Sequence, residues 1–123
     1  MLTLIGDRRF APLFEAGSRA EAPIVGRIAL SASRRMVSGQ VDRLAVTDKE
    51  VLIADYKSDR FVPRTITRIP PEYIEQLALY RAVLRLAYPN HQVRAALVWT
   101  AGPALTELPD AALDAALSRL ADA

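Results

Sequence analysis

Residues 37–57, with the sequence VSGQVDRLAVTDKEVLIADYK, decide the fold that we expect for this chain. Two apolar runs, residues 41–46 and 51–56, flank the polar segment formed by residues 47–50. A loop of two or four residues is a common connection between the strands of a β-hairpin. The stretch therefore predicts two antiparallel strands joined by a tight turn.

The register of this hairpin places acidic side chains opposite each other. If the apolar runs pair symmetrically around the turn, Asp42 lies opposite Asp55, and Gln40 lies opposite Lys57. Because side chains alternate between the two faces of a strand, all four are expected on one face. Directly opposed residues have Cβ atoms about 4.5–5.5 Å apart, where like charges are destabilising unless something neutralises them. Two carboxylates and an amine should therefore converge.

A divalent cation would neutralise such a pair of carboxylates. Hard oxygen ligands suit Mg²⁺ or Mn²⁺, with water and a substrate phosphate completing the coordination. Lys57 could then orient or deprotonate a water, or stabilise charge on a phosphate in the transition state. The alternative is an exposed sheet face with solvated charges, which is what an isolated Asp-x-Lys tripeptide would indicate. The opposing Asp42 and the apolar residues on both faces count against that alternative.

Three ordered motifs resemble the PD-(D/E)XK nucleases of the RecB-like group. They are Gly39-Gln-Val-Asp-Arg, Asp55-Tyr-Lys and Gln76-Leu-Ala-Leu-Tyr. The similarity extends over residues 19–117 and is closest to the C-terminal nuclease domain of AddA-type helicase-nucleases. It implies an α/β fold, with a mixed β-sheet, flanking helices and a restriction-endonuclease-like core. Residues 1–123 would then be a single nuclease domain, a C-terminal fragment of a larger helicase-nuclease.

The resemblance also implies a catalytic site. Asp42, Asp55 and Lys57 would be catalytic residues of a metal-dependent DNA exonuclease in double-strand break repair and recombination. Mg²⁺ or Mn²⁺ would be held by Asp42, Asp55 and the main-chain carbonyl of Tyr56, while Lys57 handles the attacking water. Glu21 precedes a strand, as a glutamate often does in relatives, and is an accessory candidate. The alternative for Glu21 is a surface carboxylate at the start of a strand.

Two further segments are expected to position DNA. Gln76 and Tyr80 lie one turn apart on a predicted helix, and relatives carry this pair beside the active site. Residues 58–69 contain a proline and several β-branched residues, which predict an exposed crossover loop. Arg60 and Arg64 give this loop a cationic excess, together with Arg68, that would suit a polyanion, although a solvated loop is the alternative. The same loop has Ser58-Asp59 where relatives usually have threonine and asparagine, and the extra carboxylate would weaken phosphate contact.

The remaining elements follow from apolar periodicity and from prolines. The sequence predicts one long helix that begins at Pro70-Pro71 and ends near Ala87, and a buried strand that follows it by a right-handed crossover. Tyr80 and Trp99 are predicted to be core by periodicity alone. The other predicted segments are a first strand over 9–15, a strand over 24–30, a turn over 31–35, a strand over 93–100, an edge strand over 104–108 and a last helix beginning at Pro109.

Composition excludes several classes of function. The chain has 123 residues, 16 basic and 14 acidic side chains and no cysteine, so it has neither a disulfide nor a thiolate-held iron–sulfur cluster. It has no Gly-x4-Gly-Lys motif and hence no ATP site. No signal peptide or membrane span is recognisable, and the absence of cysteine agrees with a reducing cytoplasm.

The position of the single histidine bears on whether the chain contains the whole nuclease domain. RecB-like nucleases commonly take a further metal ligand from a histidine on an upstream helix, whereas His91 lies downstream of the hairpin, in a turn that we expect to be exposed to solvent. We therefore expect the upstream helical part of the domain to be missing, and metal affinity to be weak. The partners implied by the resemblance are DNA, the N-terminal helicase part of the same protein and an AddB-type subunit, with no membrane.

Two other function classes are compatible with parts of the sequence. A non-catalytic DNA-docking or structural module could retain the nuclease fold, and loss of divalent binding would favour it. A small-molecule metallohydrolase is supported only by the carboxylates, and the basic loop beside them counts against it.

Overall fold

The computed structural model describes residues 2–4, 8–31, 33–102 and 104–122 of the chain. They form one mixed sheet with helices on its faces, as the sequence predicts. The strands are β1 (Leu2–Leu4), β2 (Arg19–Leu30), β3 (Ser33–Val46), β4 (Glu50–Lys57), β5 (Gln92–Trp99) and β6 (Ala104–Glu107). The helices are α1 (Pro71–Ala87) and α2 (Asp110–Asp122), with 3₁₀ helices at Arg8–Phe14 and Ile66–Arg68.

The order of strands across the sheet is β1-β6-β5-β4-β3-β2. Strands β4 and β5 run parallel, and the other neighbouring pairs run antiparallel. A parallel pair needs a crossover, and here the crossover contains residues 58–69 and α1. The carboxyl ends of β4 and β5 therefore lie side by side, and the Thr100 N–H donates to the Lys57 carbonyl at 2.9 Å.

The central hairpin has the register that the apolar pattern predicts. Val46 pairs with Val51 across the turn, and pairing continues inward from there to Arg43 and Ala54. Thr47 closes the turn, because its hydroxyl oxygen accepts from the Glu50 N–H at 3.0 Å and its own N–H donates to the Glu50 carbonyl at 2.8 Å. A side chain that binds its own turn in this way is a common local device of threonine.

Apolar side chains fill both sides of the sheet. Under α1 and α2 the core includes Val41, Leu97 and Trp99, all with no or almost no exposed surface. On the opposite face Phe10 and Leu13 of the 3₁₀ helix cover residues of β4, β5 and β6, namely Leu52, Ala54, Ala96, Val98 and Leu105. The middle strands are thus buried on both faces, which explains their nearly continuous apolar sequences.

Four predictions about individual elements are wrong. Residues 9–15 are not a strand: all but the last lie in the 3₁₀ helix Arg8–Phe14, where Phe10 and Leu13 are three residues apart and share one face. The turn predicted over 31–35 is much shorter, because β3 already begins at Ser33. Strand β6 is not an edge strand, since β1 lies beyond it. His91 is only partly exposed, and its Nε2 lies 3.0 Å from the Thr47 carbonyl oxygen.

Helix α1 has the predicted bounds and is tied to α2 by a buried arginine. Arg81 is 1% exposed, and its guanidinium bridges Asp110 at 3.0 Å and also Asp114. Both aspartates lie in the first turns of α2, which contributes the buried residues Leu113 and Ala116 to the core. No helix of the described residues is both long and apolar enough to cross a membrane.

Candidate active site

The hydrogen-bonded pairing of β3 with β4 ends immediately before the acidic residues. Its last pair is Arg43 with Ala54, so Gln40 and Lys57 are not paired in that ladder. Beyond this pair, side-chain carboxylates replace backbone carbonyls as hydrogen-bond acceptors. The Asp42 N–H donates to Asp55 Oδ1 at 3.3 Å, and the Tyr56 N–H donates to Asp42 Oδ2 at 2.7 Å. The structure therefore brings Asp42 and Asp55 together, with each carboxylate accepting a hydrogen bond from the backbone of the other strand.

The alternation of side chains along β3 is interrupted at this point. Val41 and Leu44 are three residues apart, yet both belong to the core under α1. Arg43 points to the other face, where its Nε donates to the Leu13 carbonyl at 3.1 Å. If side chains alternated strictly, Arg43 would lie on the same face as Val41, and Leu44 on the other face. The two-residue period is therefore broken between Val41 and Leu44, and it does not predict the orientation of Asp42.

The irregularity extends into the neighbouring strand. Ala20 pairs with Arg43 and Ala22 pairs with Val41, but the pair between them is absent from the ladder. The residue of β2 at that level is Glu21, whose φ of 50° lies in the left-handed region that side-chain-bearing residues rarely adopt. Interruptions of this kind locally re-aim a side chain and are common next to functional sites.

Asp55 occupies an enclosed position. It is 5% exposed, and this burial raises the pKa of its carboxyl group above the ordinary value of 3.8. The positive charge of Lys57 and the hydrogen bond from the Asp42 N–H lower this pKa but do not cancel the effect, and the Asp42 charge adds to it. A nearby cation would favour the ionised form.

Each carboxylate has one oxygen available for a cation. The hydrogen bonds described above use Asp55 Oδ1 and Asp42 Oδ2, and the other two oxygens accept no hydrogen bond from the described residues. The N–H and C=O groups of one strand residue point to the same side. Since the Tyr56 N–H points at Asp42, the Tyr56 carbonyl is also directed into the gap between the ends of β3 and β4, where the two carboxylates lie. In the part of the chain that is described, three or more His, Cys, Asp or Glu residues nowhere form a group that could hold a metal.

The Lys57 amine does not contact the carboxylates directly. The amine was expected within reach of both carboxylates, but in the described residues it forms no salt bridge with Asp42 or Asp55. Instead, Nζ lies 4.3 Å from the ring centroid of Tyr73 on α1. The lysine is still close enough to lower the pKa of Asp55.

Tyr73 and Asp59 form a contact beside Lys57 that the sequence pattern did not reveal. The Tyr73 hydroxyl donates to Asp59, at 2.9 Å from Oδ1 and 3.2 Å from Oδ2, and this bond raises the pKa of Tyr73. Asp59 was expected to weaken phosphate contact, and in the structure its carboxylate accepts a hydrogen bond from the Tyr73 hydroxyl. The available signal was spacing, because Tyr73 precedes Gln76 by three residues and so lies on the same face of α1.

Gln76 and Tyr80 lie next to the carboxylates. Gln76 Nε2 donates to the Tyr80 hydroxyl at 3.2 Å. Burial raises the pKa of Tyr80, and the negative charges of Asp55 and Asp42 add to the effect. The hydroxyl packs so closely on Gly39 that a β-carbon there would meet it, with the ring carbon Cζ at 3.0 Å.

The remaining predicted residues lie at the periphery. Arg60 and Arg64 are exposed on the crossover loop and form no salt bridge with the described residues. Arg60 lies 5.7 Å from the ring centroid of Phe61, which is 80% exposed. Glu21 is exposed and is not part of an acidic cluster among the described residues.

Comparison with known proteins agrees with this geometry. Residues 7–121 match the model of the PD-(D/E)XK nuclease superfamily. A curated relative, an ATP-dependent helicase/nuclease subunit from Oenococcus oeni, is 35% identical over 63 residues, which are 51% of this chain and 5% of that protein. The chain therefore corresponds to only a small part of that relative.

A solved structure shows the same fold. The crystal structure of a protein called SSO0001 superposes with a TM-score of 0.50 over 93% of this chain and 52% of that one, at 14% identity. The superfamily match covers nearly the whole chain. This chain belongs to the PD-(D/E)XK nuclease superfamily.

Proposed function

We propose that this chain is the metal-dependent DNA exonuclease domain of an AddA-type helicase-nuclease that acts in double-strand break repair and recombination. The observation that carries the proposal is the reciprocal contact of Asp42 and Asp55 between the ends of β3 and β4. The superfamily match and the likeness to part of a helicase/nuclease support the same activity. The proposed protein partners are the helicase part of the same protein and an AddB-type subunit.

The donor set fits Mg²⁺ or Mn²⁺. Asp42 and Asp55 each offer one carboxylate oxygen that binds no other described group, and the Tyr56 carbonyl is directed into the same gap. These are hard oxygen ligands, which both ions prefer. When bound, such an ion would neutralise the phosphate and lower the pKa of a bound water.

The other residues act around this centre. Lys57 orients the attacking water and stabilises the negative charge that develops on the phosphate. Gln76 and Tyr80 position the DNA strand from α1, and Arg60 and Arg64 hold its phosphates from the crossover loop. Glu21 remains an accessory candidate, at the position across from Asp42.

A non-catalytic DNA-docking module is the second candidate. Two observations favour it: Lys57 lies over Tyr73 rather than against the carboxylates, and the described residues contain no cluster of three acidic or histidine ligands. In this case the chain would bind DNA without cutting it.

Replacement of Lys57 by alanine in the complete protein separates the two candidates. For the nuclease, we expect Mg²⁺-dependent DNA cleavage to fall by about 10²-fold or more, since positioned proton transfer contributes that much, while ATP hydrolysis is retained. Lys49→Ala, at the far end of the same hairpin, is the matched control and should cut normally. Cleavage by Lys57→Ala at the wild-type rate would refute the assigned role.

Calorimetric titration of Mn²⁺ tests the metal site separately. The wild-type chain should bind the ion weakly, since its described residues supply only two carboxylates, and Asp55→Ala should lose the binding. Unchanged binding by Asp55→Ala would place the metal elsewhere. A chain that binds DNA but neither binds Mn²⁺ nor cuts would support the docking module.

A further inference from the structure

Tyr73 lies between Lys57 and Asp59, a carboxylate to which no other role has been assigned. Its ring is 4.3 Å from Lys57 Nζ, and its hydroxyl donates to both oxygens of Asp59. A third contact comes from Trp99, whose ring centroid is 6.3 Å from that of Tyr73 with the planes inclined at 45°. The ring is thus held at three points.

The side chains that contact the Tyr73 ring differ in how far they can move. Trp99 is fully buried, and its Nε1 donates to the Thr106 hydroxyl at 2.9 Å, so its indole is fixed. The Tyr73 ring rests on this fixed surface, and Asp59 holds its hydroxyl end. Lysine, in contrast, carries its ammonium on a flexible four-carbon chain with many rotamers. The face of a rigid aromatic ring attracts an ammonium and restricts where it can be.

We propose that Tyr73 is the positioning residue of Lys57, and that Asp59 sets the orientation of the Tyr73 ring. This inference rests on the proposed function, in which Lys57 acts on the attacking water. Tyr73 does not touch the reacting atoms, and it acts by keeping the lysine amine at the carboxyl end of β4. The pair is formed across the crossover, since Lys57 ends β4 and Tyr73 lies in the first turn of α1.

The first experiment measures the contact itself and does not depend on cleavage. Methylene protons held over an aromatic ring resonate upfield in NMR spectra. We expect the ε-methylene protons of Lys57 to be shifted upfield in the wild type and in Tyr73→Phe, and to return to ordinary values in Tyr73→Leu. Tyr88→Leu, beyond the other end of α1, is the control and should leave the shift unchanged. An upfield shift that survives in Tyr73→Leu would overturn the inference whatever the protein cuts.

The second experiment measures the consequence in the complete protein. In Tyr73→Leu, kcat for Mg²⁺-dependent DNA cleavage should fall by about tenfold or more, because a small misplacement of a catalytic group is costly. KM for DNA should stay the same, and Mn²⁺ binding measured by calorimetry should be retained. Tyr73→Phe keeps the ring and should lose only about threefold in kcat, the usual scale of the one hydrogen bond that it removes. Loss of Mn²⁺ binding together with kcat would show a merely structural role and overturn the inference.

A double-mutant cycle tests the part played by Asp59. Tyr73→Phe and Asp59→Leu remove the same hydrogen bond from its two ends, and each should lower kcat by about threefold, the usual scale of one hydrogen bond. Because they remove one interaction, the combined variant should lose no more than either single variant. Multiplicative losses would show that Asp59 acts independently of Tyr73. If instead Lys57→Ala cuts DNA normally while the NMR shift behaves as expected, the proposed function fails and the contact stands.

Discussion

At the scale of single residues, Asp55 combines a charge with an enclosed position. Burial raises the pKa of its carboxyl group, so the folded protein binds this proton more tightly than the unfolded chain does. A raised pKa in the folded state contributes stability below the unfolded pKa, and that contribution is lost as the pH rises through the folded pKa. At neutral pH and without a metal, the ionised Asp55 therefore lowers the free energy of unfolding.

We predict that Asp55→Asn raises the free energy of unfolding at pH 7 in the presence of a chelator. The amide keeps an oxygen for the Asp42 N–H but carries no charge, so the penalty for a buried charge disappears. The difference from wild type should shrink as the pH falls toward 3.8, the ordinary pKa of an aspartate side chain. Urea unfolding at several pH values measures this, with Asp48→Asn in the exposed turn as the control. A variant that is less stable than wild type at pH 7 would contradict the prediction.

Gly39 provides the second prediction at this scale. A β-carbon there would meet the Tyr80 hydroxyl, with the ring carbon Cζ at 3.0 Å. Gly39→Ala should therefore cost about 1–3 kcal/mol of unfolding free energy, the range for overpacking. It should also weaken DNA cleavage, because Tyr80 must move.

Gly17→Ala is the matched control for Gly39→Ala. A β-carbon at Gly17 has no atom within 4 Å, so the change should stay within about 0.5 kcal/mol, as is usual for surface substitutions. Denaturant unfolding of both variants is the measurement. Equal effects at the two glycines would mean that Tyr80 is easily displaced.

At the scale of secondary-structure elements, one buried arginine joins the two helices. Arg81 has 2% of its side chain exposed, whereas Asp110 and Asp114 have 60% and 63% exposed. The asymmetry matters because an uncompensated buried charge costs far more than an uncompensated exposed one. The two ends of this contact should therefore respond differently to removal.

We predict that Asp110→Ala with Asp114→Ala costs about 3–5 kcal/mol of unfolding free energy, since it leaves the Arg81 charge buried and unpaired. Arg81→Met removes the charge, keeps much of the volume and should cost only about 1–2 kcal/mol. Asp122→Ala, at the exposed end of α2, is the control. Thermal or urea unfolding decides the order, and a larger loss in Arg81→Met than in the double variant would contradict it.

The features that could be predicted from the sequence are mostly those that a local pattern of residues determines. The register of the β3–β4 hairpin follows from apolar alternation around Thr47, and the bounds of α1 follow from Pro71 and the residues before Tyr88. The family motifs predicted a site at Asp42, Asp55 and Lys57, and the structure brings the two carboxylates close together. These are properties that a few neighbouring residues determine.

The features that the sequence did not predict depend on contacts between segments that are distant in the sequence. Phe10 and Leu13 form a 3₁₀ helix because they cover the back of the sheet, which no local pattern shows. The Lys57 amine lies over the ring of Tyr73, which is sixteen positions later in the sequence. Glu21 has a left-handed backbone at the level where the pairing of β2 with β3 is interrupted. Each of these required knowledge of the packing.

At the scale of the whole molecule, charge is distributed unevenly although the net charge is only +2. The exposed arginines of the crossover loop follow β4 directly, so they lie at the same end of the sheet as the carboxylates. A polyanion held by this loop would pass the candidate active site. Because phosphate contacts release counterions, such binding must weaken as salt is added.

We predict that Arg60→Ala and Arg64→Ala each weaken DNA binding at every sequence and reduce the slope of log K against log salt by about 1. The control is Arg85→Ala in the last turn of α1, about 20 Å along the helix from its start. Fluorescence anisotropy at several salt concentrations gives the slope. An unchanged slope in both loop variants, or an equal change in Arg85→Ala, would place the DNA on another surface.

The outer edge of the sheet has a consequence for aggregation. Strand β2 is twelve residues long and, among the described strands, has a neighbour on one side only, and a long free edge is a template for pairing with another chain. Here the edge is interrupted: Glu21 has a left-handed backbone, and Pro23, two residues later, has no N–H to donate. The same irregularity that accompanies the carboxylates thus shortens the edge on which a second molecule could add a strand.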